Sequence, residues 1–334
     1  MKSIRIGDKI VGEGQPVFFI AEAGINHNGS LEQALELVER AKEAGADAVK
    51  FQTFKADSLC SKRSKSYELF KNLELRKSDW AKIAEKARNS DIMFFSSPFD
   101  EESVDLLDDL SVPAFKVASG DLTHLPLLKY IARKNKPIIL STGMSRLSEV
   151  DEALNIIYGE ENRDVVLLHC VVNYPTNARD ANLKVIKTLE QVFALPAGFS
   201  DHSLGTLLSV TAVCLGARVI EKHFTLDRGL PGPDHKLSLN PAEFAAMVSD
   251  VRAVEQAFGD GVKVPRESEL EAIRSARRSI TARMDIPAGA IIAPDMLKIS
   301  RPGTGIEPKF LDLVIGKKAK EQIQEDEALT WDKL

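Results

Sequence analysis

Eight short apolar runs punctuate the chain between residue 16 and about residue 258, and helical patterns separate each run from the next. The runs are "VFFIAE" (17–22), "DAVKFQ" (47–52), "IMFFSS" (92–97), "AFKVAS" (114–119), "PIILST" (137–142), "VVLLHC" (165–170), "AGFSDH" (197–202) and "RVIEKH" (218–223). Each has the length and residue types of a buried strand. After the first, "SLEQALELVERAKEAG" sets Leu31, Ala34, Leu35, Val38 and Ala41 along one helix face, with Ser30 as N-cap and Gly45 as stop. The Gly-Ala junction of that unit returns at "LGARVIE" (215–221), again where a helix hands over to the next strand. Eight such units predict a closed (β/α)8 barrel, an α/β fold, rather than an open sheet.

The ends of the runs support the barrel. Most begin apolar and finish polar: Glu22, Lys50 and Gln52, Ser96, Lys116 and Ser119, Ser141, His169, Asp201 and His202, Glu221 and His223. In a barrel these ends converge on one face, where such folds place their active sites. An open doubly wound sheet needs them only at its switch point.

The flanks read differently. "IRIGDKIVGEG" (4–14) alternates around a Gly-Asp turn and predicts a hairpin that caps the barrel bottom. The barrel with its hairpin is assigned to residues 1–258 and a linker to 259–276, which begins in "GDGVKVPRESE". A small β-rich domain follows over 277–334, where Pro and Gly cut short β-like runs, and it is marginal by size unless docked.

Composition removes several function classes. The net charge is −5, and the nearest basic run, "SKRSKS" (61–66), reads as a solvated loop, so no nucleic-acid partner is expected. No stretch is long enough to span a bilayer, and there is no apolar signal core at the N-terminus. Cys60, Cys170 and Cys214 lack metal-ribbon spacing and point to free thiols in a reducing, cytoplasmic setting. No glycine pattern matches a P-loop or dinucleotide fingerprint, which argues against a nucleotide cofactor.

His202 and His223 end two successive strands and should face each other across the mouth. Paired neutral imidazoles with oxygen-bearing neighbours suit a first-row divalent metal, against the plainer reading of two unrelated hydrogen-bonded histidines. Lys50 and Lys116 fit a Schiff-base lysine, a pair of anion anchors, or side chains that merely snorkel at strand ends. Ser119 and Ser141 at matching positions favour the anchors, since phosphate and carboxylate want cations with hydroxyl donors. Glu22, Glu221 and Asp234 add acid–base capacity or grip on substrate hydroxyls.

A set of motifs then brings a family into view. "IAEAGINHNG" (20–29), "GADAVKFQT" (45–53), "FKVASGDL" (115–122), "STGM" (141–144), "FSDHS" (199–203), "EKHFT" (221–225), "PGPD" (231–234) and "RPGTGI" (301–306) together resemble the N-acetylneuraminate (sialic acid) synthase family. The likeness runs in order along nearly the whole chain and includes a C-terminal antifreeze-like (SAF) domain. It implies condensation of phosphoenolpyruvate with an N-acetylmannosamine-type sugar to give a nonulosonic acid and phosphate. N-acetylneuraminate is the leading product, with legionaminate or pseudaminate synthesis from a 2,4-diacetamido-6-deoxy sugar as the alternative. A Schiff-base aldolase and a non-enzymatic sugar-binding module are more distant readings.

The resemblance also assigns residues. His202 and His223 resemble the ligands of a divalent metal, Mn2+ foremost, with Mg2+ or Co2+ as alternatives. Lys50, Lys116, Ser119, Ser141 and Ser200 resemble the phosphoenolpyruvate anchors, with Tyr174 beside them. Glu22 and Asp234 resemble sugar contacts, Arg301 the arginine that reaches the N-acetyl group from the other subunit of a homodimer, and Glu221 the carboxylate near the reacting carbons. Glu22, Glu221 and Lys50 form the expected catalytic set. "VVNYPT" (171–176) departs from the family's Thr-Asn/Ser-x-Tyr-Pro and leaves Asn173 as the candidate replacement for a phosphate contact.

Overall fold

The structure, a computed structural model, describes residues 2–334. It divides into two units, one ending at Gly259 and one spanning Asp260–Leu334.

The first unit opens with an antiparallel hairpin, β1 (Ile4–Ile6) and β2 (Lys9–Val11). Then come β3 (Phe18–Gly24), β4 (Ala48–Thr53), β5 (Met93–Pro98), β6 (Phe115–Val117), β7 (Ile138–Ser141), β8 (Val165–Cys170), β9 (Ala197–Asp201) and β10 (Val219–His223). These eight form one sheet in the order β5-β4-β3-β10-β9-β8-β7-β6. Every ladder is parallel, and the last strand returns to pair with the first. β5 and β6, the ends of that order, are neighbours in space without a shared ladder, so the barrel is nearly closed. Helices follow the strands, as the alternating pattern predicts.

Local chemistry explains the elements. The helix Leu31–Glu43 starts where the Ser30 hydroxyl accepts the Gln33 N–H, and it buries Ala34, Leu37, Val38 and Ala41 against the sheet. Gly45 leaves it at φ +83°, a left-handed turn that glycine takes without strain. Inside the barrel Gly198 has no room for a side chain: a Cβ there would lie 2.4 Å from the Val219 carbonyl oxygen. The hairpin buries Ile4, Ile6 and Val11 in the barrel's core cluster. Lys9 reaches Asp47, just before β4, at 3.5 Å, which places the hairpin at the N-terminal ends of the strands.

One strand is shorter than its sequence pattern. β6 stops at Val117, and Ser119 lies in a 3-10 turn, Ser119–Asp121, instead of on the strand end expected for it. Lys116 keeps its strand position.

The second unit begins with a 3-10 turn, Glu267–Glu269, and the helix Leu270–Ala276. β11 (Ser279–Ala282) pairs antiparallel with β12 (Leu297–Ser300), over a separate core that includes Ile280, Ile286, Leu297, Ile323 and Leu329. Arg301 follows β12 directly and is exposed. Its loop is held at the Pro302 carbonyl by Ser279 Oγ (2.7 Å) and at the Gly303 N–H by the Arg274 carbonyl (2.8 Å). Among the described residues no helix is long and apolar enough to cross a membrane.

Candidate active site

Alternation along the strands decides which polar ends share a space. Successive side chains point to opposite faces of a strand, so in a barrel one residue enters the mouth and the next meets the helix layer. On β10, Glu221 and His223 share one face and Lys222 takes the other. Glu221 is the register partner of Ser200 on β9, and Glu22 on β3 is the partner of both Lys50 on β4 and His223.

The inner faces assemble a buried charged cluster. Lys50 Nζ lies 2.7 Å from Glu22 Oε2 and 3.8 Å from Glu221 Oε2, and it donates to Ser97 Oγ at 3.2 Å. Lys116 Nζ lies 3.5 Å from Glu221 Oε1, which accepts the Ser200 hydroxyl at 2.9 Å. Gln52 Nε2 donates to Glu22 Oε1 at 3.2 Å. All four charged groups are buried.

Burial and partners pull these groups in different directions. Burial pushes Glu22 up to about 7, and Lys50 only partly offsets it. Burial also works against the charge on Glu221, but Lys116, Lys50 and the Ser200 hydroxyl outweigh it and hold this carboxylate below its ordinary value. Lys50, with Glu22 and Glu221 outweighing its burial, lies above the ordinary lysine value, whereas burial leaves Lys116 below it. The same space therefore holds one carboxyl that can keep a proton near neutrality and one that stays ionised, an arrangement suited to acid–base work.

Both histidines lie in the mouth, with ring centroids 5.3 Å apart. His202 Nδ1 is 2.9 Å from the Val171 carbonyl, an acceptor only, so Nδ1 carries the hydrogen and Nε2 offers its lone pair. Nε2 is 3.1 Å from Tyr174 Oη, and the two rings stack at 4.1 Å. His223 Nδ1 is buried without a hydrogen-bond partner and lies 3.9 Å from Asp234 Oδ2. Burial lowers the pKa of both imidazoles and keeps them neutral, and it raises Asp234 to about 6.

That donor set fits a divalent cation held incompletely by protein. Two neutral imidazoles, one with a fixed tautomer and one with an orphaned nitrogen, are available ligands with oxygen donors near them. Among the described residues no group of three or more His, Cys, Asp or Glu side chains is placed to hold a metal ion, so a cation here would rest on the two imidazoles and on oxygens supplied from elsewhere.

Of the other expected residues, Ser141 ends β7 with a buried, unpartnered Oγ. Ser119 Oγ accepts the Gly143 N–H at 3.0 Å. Asn173, the candidate phosphate contact, is exposed in the loop after β8. Three expected mouth residues belong to the outer layer instead. His169 bonds the Ala181 carbonyl at 2.7 Å and stacks on Phe199, Ser96 bonds Thr53, and Asp201 pairs with Lys222. Their inner-face neighbours Cys170 and Ser97 were missed; strand parity in the sequence carries the signal that finds them. Cys170 Sγ is buried 3.8 Å from His202 Nδ1.

Comparison with known proteins agrees with the barrel and the small C-terminal domain. The sequence profile of the NeuB family matches residues 37–263, and that of the SAF domain matches residues 277–334. An uncharacterised protein of Methanocaldococcus jannaschii is 49% identical, covering 100% of this chain and 99% of its own length. The N,N'-diacetyllegionaminic acid synthase of Legionella pneumophila is 44% identical, covering 98% of this chain and 97% of its own. The crystal structure of the N-acetylneuraminic acid synthetase of Leptospira borgpetersenii, in complex with citrate, superposes with a TM-score of 0.77 at 37% identity, over 81% of this chain and 95% of that one. A barrel with this buried mouth, joined to a SAF domain and aligned with such relatives from end to end, belongs to the NeuB family.

Proposed function

We propose that the protein is a nonulosonic acid synthase, joining phosphoenolpyruvate to an N-acetylmannosamine-type aldose and releasing phosphate. The observation that carries this reading is the mouth itself: two buried lysines and a ring of hydroxyls surround a carboxyl that can hold a proton and one that stays ionised.

Lys50, Lys116, Ser141 and Ser200, with Ser119 beside them, bind the phosphate and carboxylate of phosphoenolpyruvate. Holding both reactants turns a two-body encounter into a positioned one. The nucleophilic C3 of phosphoenolpyruvate attacks the aldehyde carbon of the open-chain sugar, whose oxygen takes up a proton. Water adds to C2 and gives up its proton, and the C2–O bond to phosphate breaks. Glu221, kept ionised and fixed by the Ser200 hydroxyl, orients that water and accepts its proton at Oε2. Glu22 holds a proton near neutrality and grips a sugar hydroxyl together with Asp234. His202 and His223 would hold a divalent cation, Mn2+ foremost, which supplies Lewis-acid polarisation of the sugar's carbonyl oxygen.

A 2,4-diacetamido-6-deoxy acceptor is the second reading, favoured by the higher identity to the Legionella enzyme than to the Leptospira one. A Schiff-base aldolase would use Lys116, the lysine whose charge burial disfavours. Borohydride trapping with a ketoacid tests for it.

The working unit we infer is a cytoplasmic homodimer in which each SAF domain covers the partner's barrel mouth and Arg301 of the partner subunit reaches the acceptor's N-acetyl group. The exposed Met144 and Leu204, in the loops after β7 and β9, and Leu147 and Leu207, which open the helices that follow those loops, supply an apolar rim for such a cover. Three free cysteines suit a reducing compartment.

The test is phosphate release from phosphoenolpyruvate against N-acetylmannosamine, its 6-phosphate and the 2,4-diacetamido-6-deoxy sugars. Release that depends on one of these acceptors is expected; release with none of them overturns the reading.

A further inference from the structure

The outer face of β9 and β10 carries a second charged pair that the chemistry above does not use. Positions between a barrel sheet and its helices are ordinarily aliphatic, because a charge there loses its water. Asp201 and Lys222 are nevertheless both completely buried, with Lys222 Nζ 2.9 Å from Asp201 Oδ2. They are register partners on adjacent strands. Each is the residue immediately before one of the two mouth histidines, His202 and His223.

The pair is also well supplied with bonds. Asp201 Oδ2 accepts the Ser209 hydroxyl at 2.6 Å, from the helix Leu207–Cys214, and Oδ1 accepts the Ser203 N–H at 2.8 Å. Lys222 Nζ donates to the Ser203 carbonyl. Ser203, the residue after His202, is thus clamped through both its backbone N–H and its C=O. His202 is then flanked by Asp201 on one side and the clamped residue on the other.

The two imidazoles depend on this support unequally. His202 is steered by its own bond from Nδ1 to the Val171 carbonyl, whereas His223 Nδ1 has no partner. The His223 ring is placed by packing and by its backbone, which accepts the Leu239 N–H at 2.8 Å, pairs with Glu22 on β3, and follows the buried Lys222 directly.

Stability alone explains this pair poorly, since a buried ion pair is often no better than apolar residues of similar volume. We propose that Asp201 and Lys222 are positioning residues that fix the separation of the His202 and His223 rings, and so set the affinity of the two-imidazole site for a divalent cation. The inference rests on the reading of those histidines as cation ligands.

The experiment measures Mn2+ binding to the full-length protein without substrates, by titration calorimetry or by loss of the free Mn2+ paramagnetic resonance signal, beside thermal unfolding. The double variant Asp201→Leu with Lys222→Met removes both charges together, so neither is left unpaired. It should unfold near the wild-type temperature while Mn2+ affinity falls roughly 10- to 100-fold, the range for residues that orient metal ligands. Wild-type affinity in the folded double variant overturns the proposal. If that variant does not fold, Ser209→Ala carries the test, because it keeps both charges and deletes one bond to Asp201; affinity should fall severalfold, and unchanged affinity overturns the proposal. His223→Ala separates the two ideas. Mn2+ binding unaffected in His223→Ala removes the cation reading itself, whereas binding lost there but intact in the double variant removes only the positioning role.

Discussion

The same sheet carries two buried sets of lysines and carboxylates, one on each side of the barrel wall. Outside, Asp201 and Lys222 satisfy each other, and serines or backbone groups take up further valences. Inside, Lys50, Lys116, Glu22 and Glu221 form a looser group. Ser141 Oγ, Glu221 Oε2 and His223 Nδ1 beside them are buried with no hydrogen-bond partner. Buried polar atoms are nearly always bonded, so a concentration of orphans marks a place prepared for a ligand. Residue type does not distinguish structure from site here; the bonding of the charged groups does, although the Ser203 hydroxyl beside the outer pair is also unpartnered.

The sharpest way to break the comparison is to withhold what the orphaned His223 nitrogen awaits. Treatment with a chelator should abolish turnover, and Mn2+ or Mg2+ should restore it; full activity in demonstrably metal-free protein would remove the histidines from the chemistry. Next in size is Lys116→Ala. Loss of a buried charged contact to an anion typically costs at least ~3 kcal/mol, so kcat/KM for phosphoenolpyruvate should fall by more than about 100-fold. An unchanged KM would show that Lys116 is not an anchor.

The inner group is completed from elsewhere if Arg301 acts across a dimer. In equal mixtures of Arg301→Ala and His202→Ala subunits, about half the dimers are mixed, and trans action leaves one intact site in each. Activity should reach about a quarter of wild type. A mixture no more active than the average of the single mutants would place Arg301 in cis.

Two serines sharpen the contrast further. Ser209→Ala removes a made bond and should cost about 1 kcal/mol of stability, while Ser141→Ala removes an unmade one and should leave the melting temperature unchanged or higher. Ser141→Ala should instead raise the KM for phosphoenolpyruvate severalfold. Equal melting effects would dissolve the distinction between the two sides.

The smallest effect concerns Glu22. Its pKa is raised by burial to about 7, so between its ordinary value and about 7 the folded protein holds a proton that the unfolded chain has lost. Its contribution to stability therefore falls as pH rises through that window. Glu22→Gln should flatten this part of the melting-temperature profile, and a slope identical to wild type would show that Glu22 titrates normally.

Much of this was legible in the sequence because strands and helices repeat with fixed periods. Residues 17–22 and 92–97 show a strand's apolar start and polar end without any partner in view. The side of the wall was harder to read. "EKH" looks like one reactive run, but a period of two sends Glu221 and His223 inward and Lys222 outward. Parity also separates His169 from Cys170 and Ser96 from Ser97. Ser119 was misplaced for another reason: the chain leaves the sheet at Val117 and turns through a 3-10 segment, Ser119–Asp121. Asn173 was proposed from a neighbouring motif, and its exposed loop position carries no periodic signal at all.

In the proposed reaction the inner cluster binds phosphoenolpyruvate and expels its phosphate by breaking the C2–O bond. Phosphoenolpyruvate labelled with 18O in the bridging position tests this directly, with the released phosphate and the ketoacid product analysed by mass spectrometry. The label should leave in the phosphate, because water supplies the new oxygen at C2. Label retained on C2 of the product would mean that the P–O bond breaks instead, and would contradict the mechanism assigned to these residues.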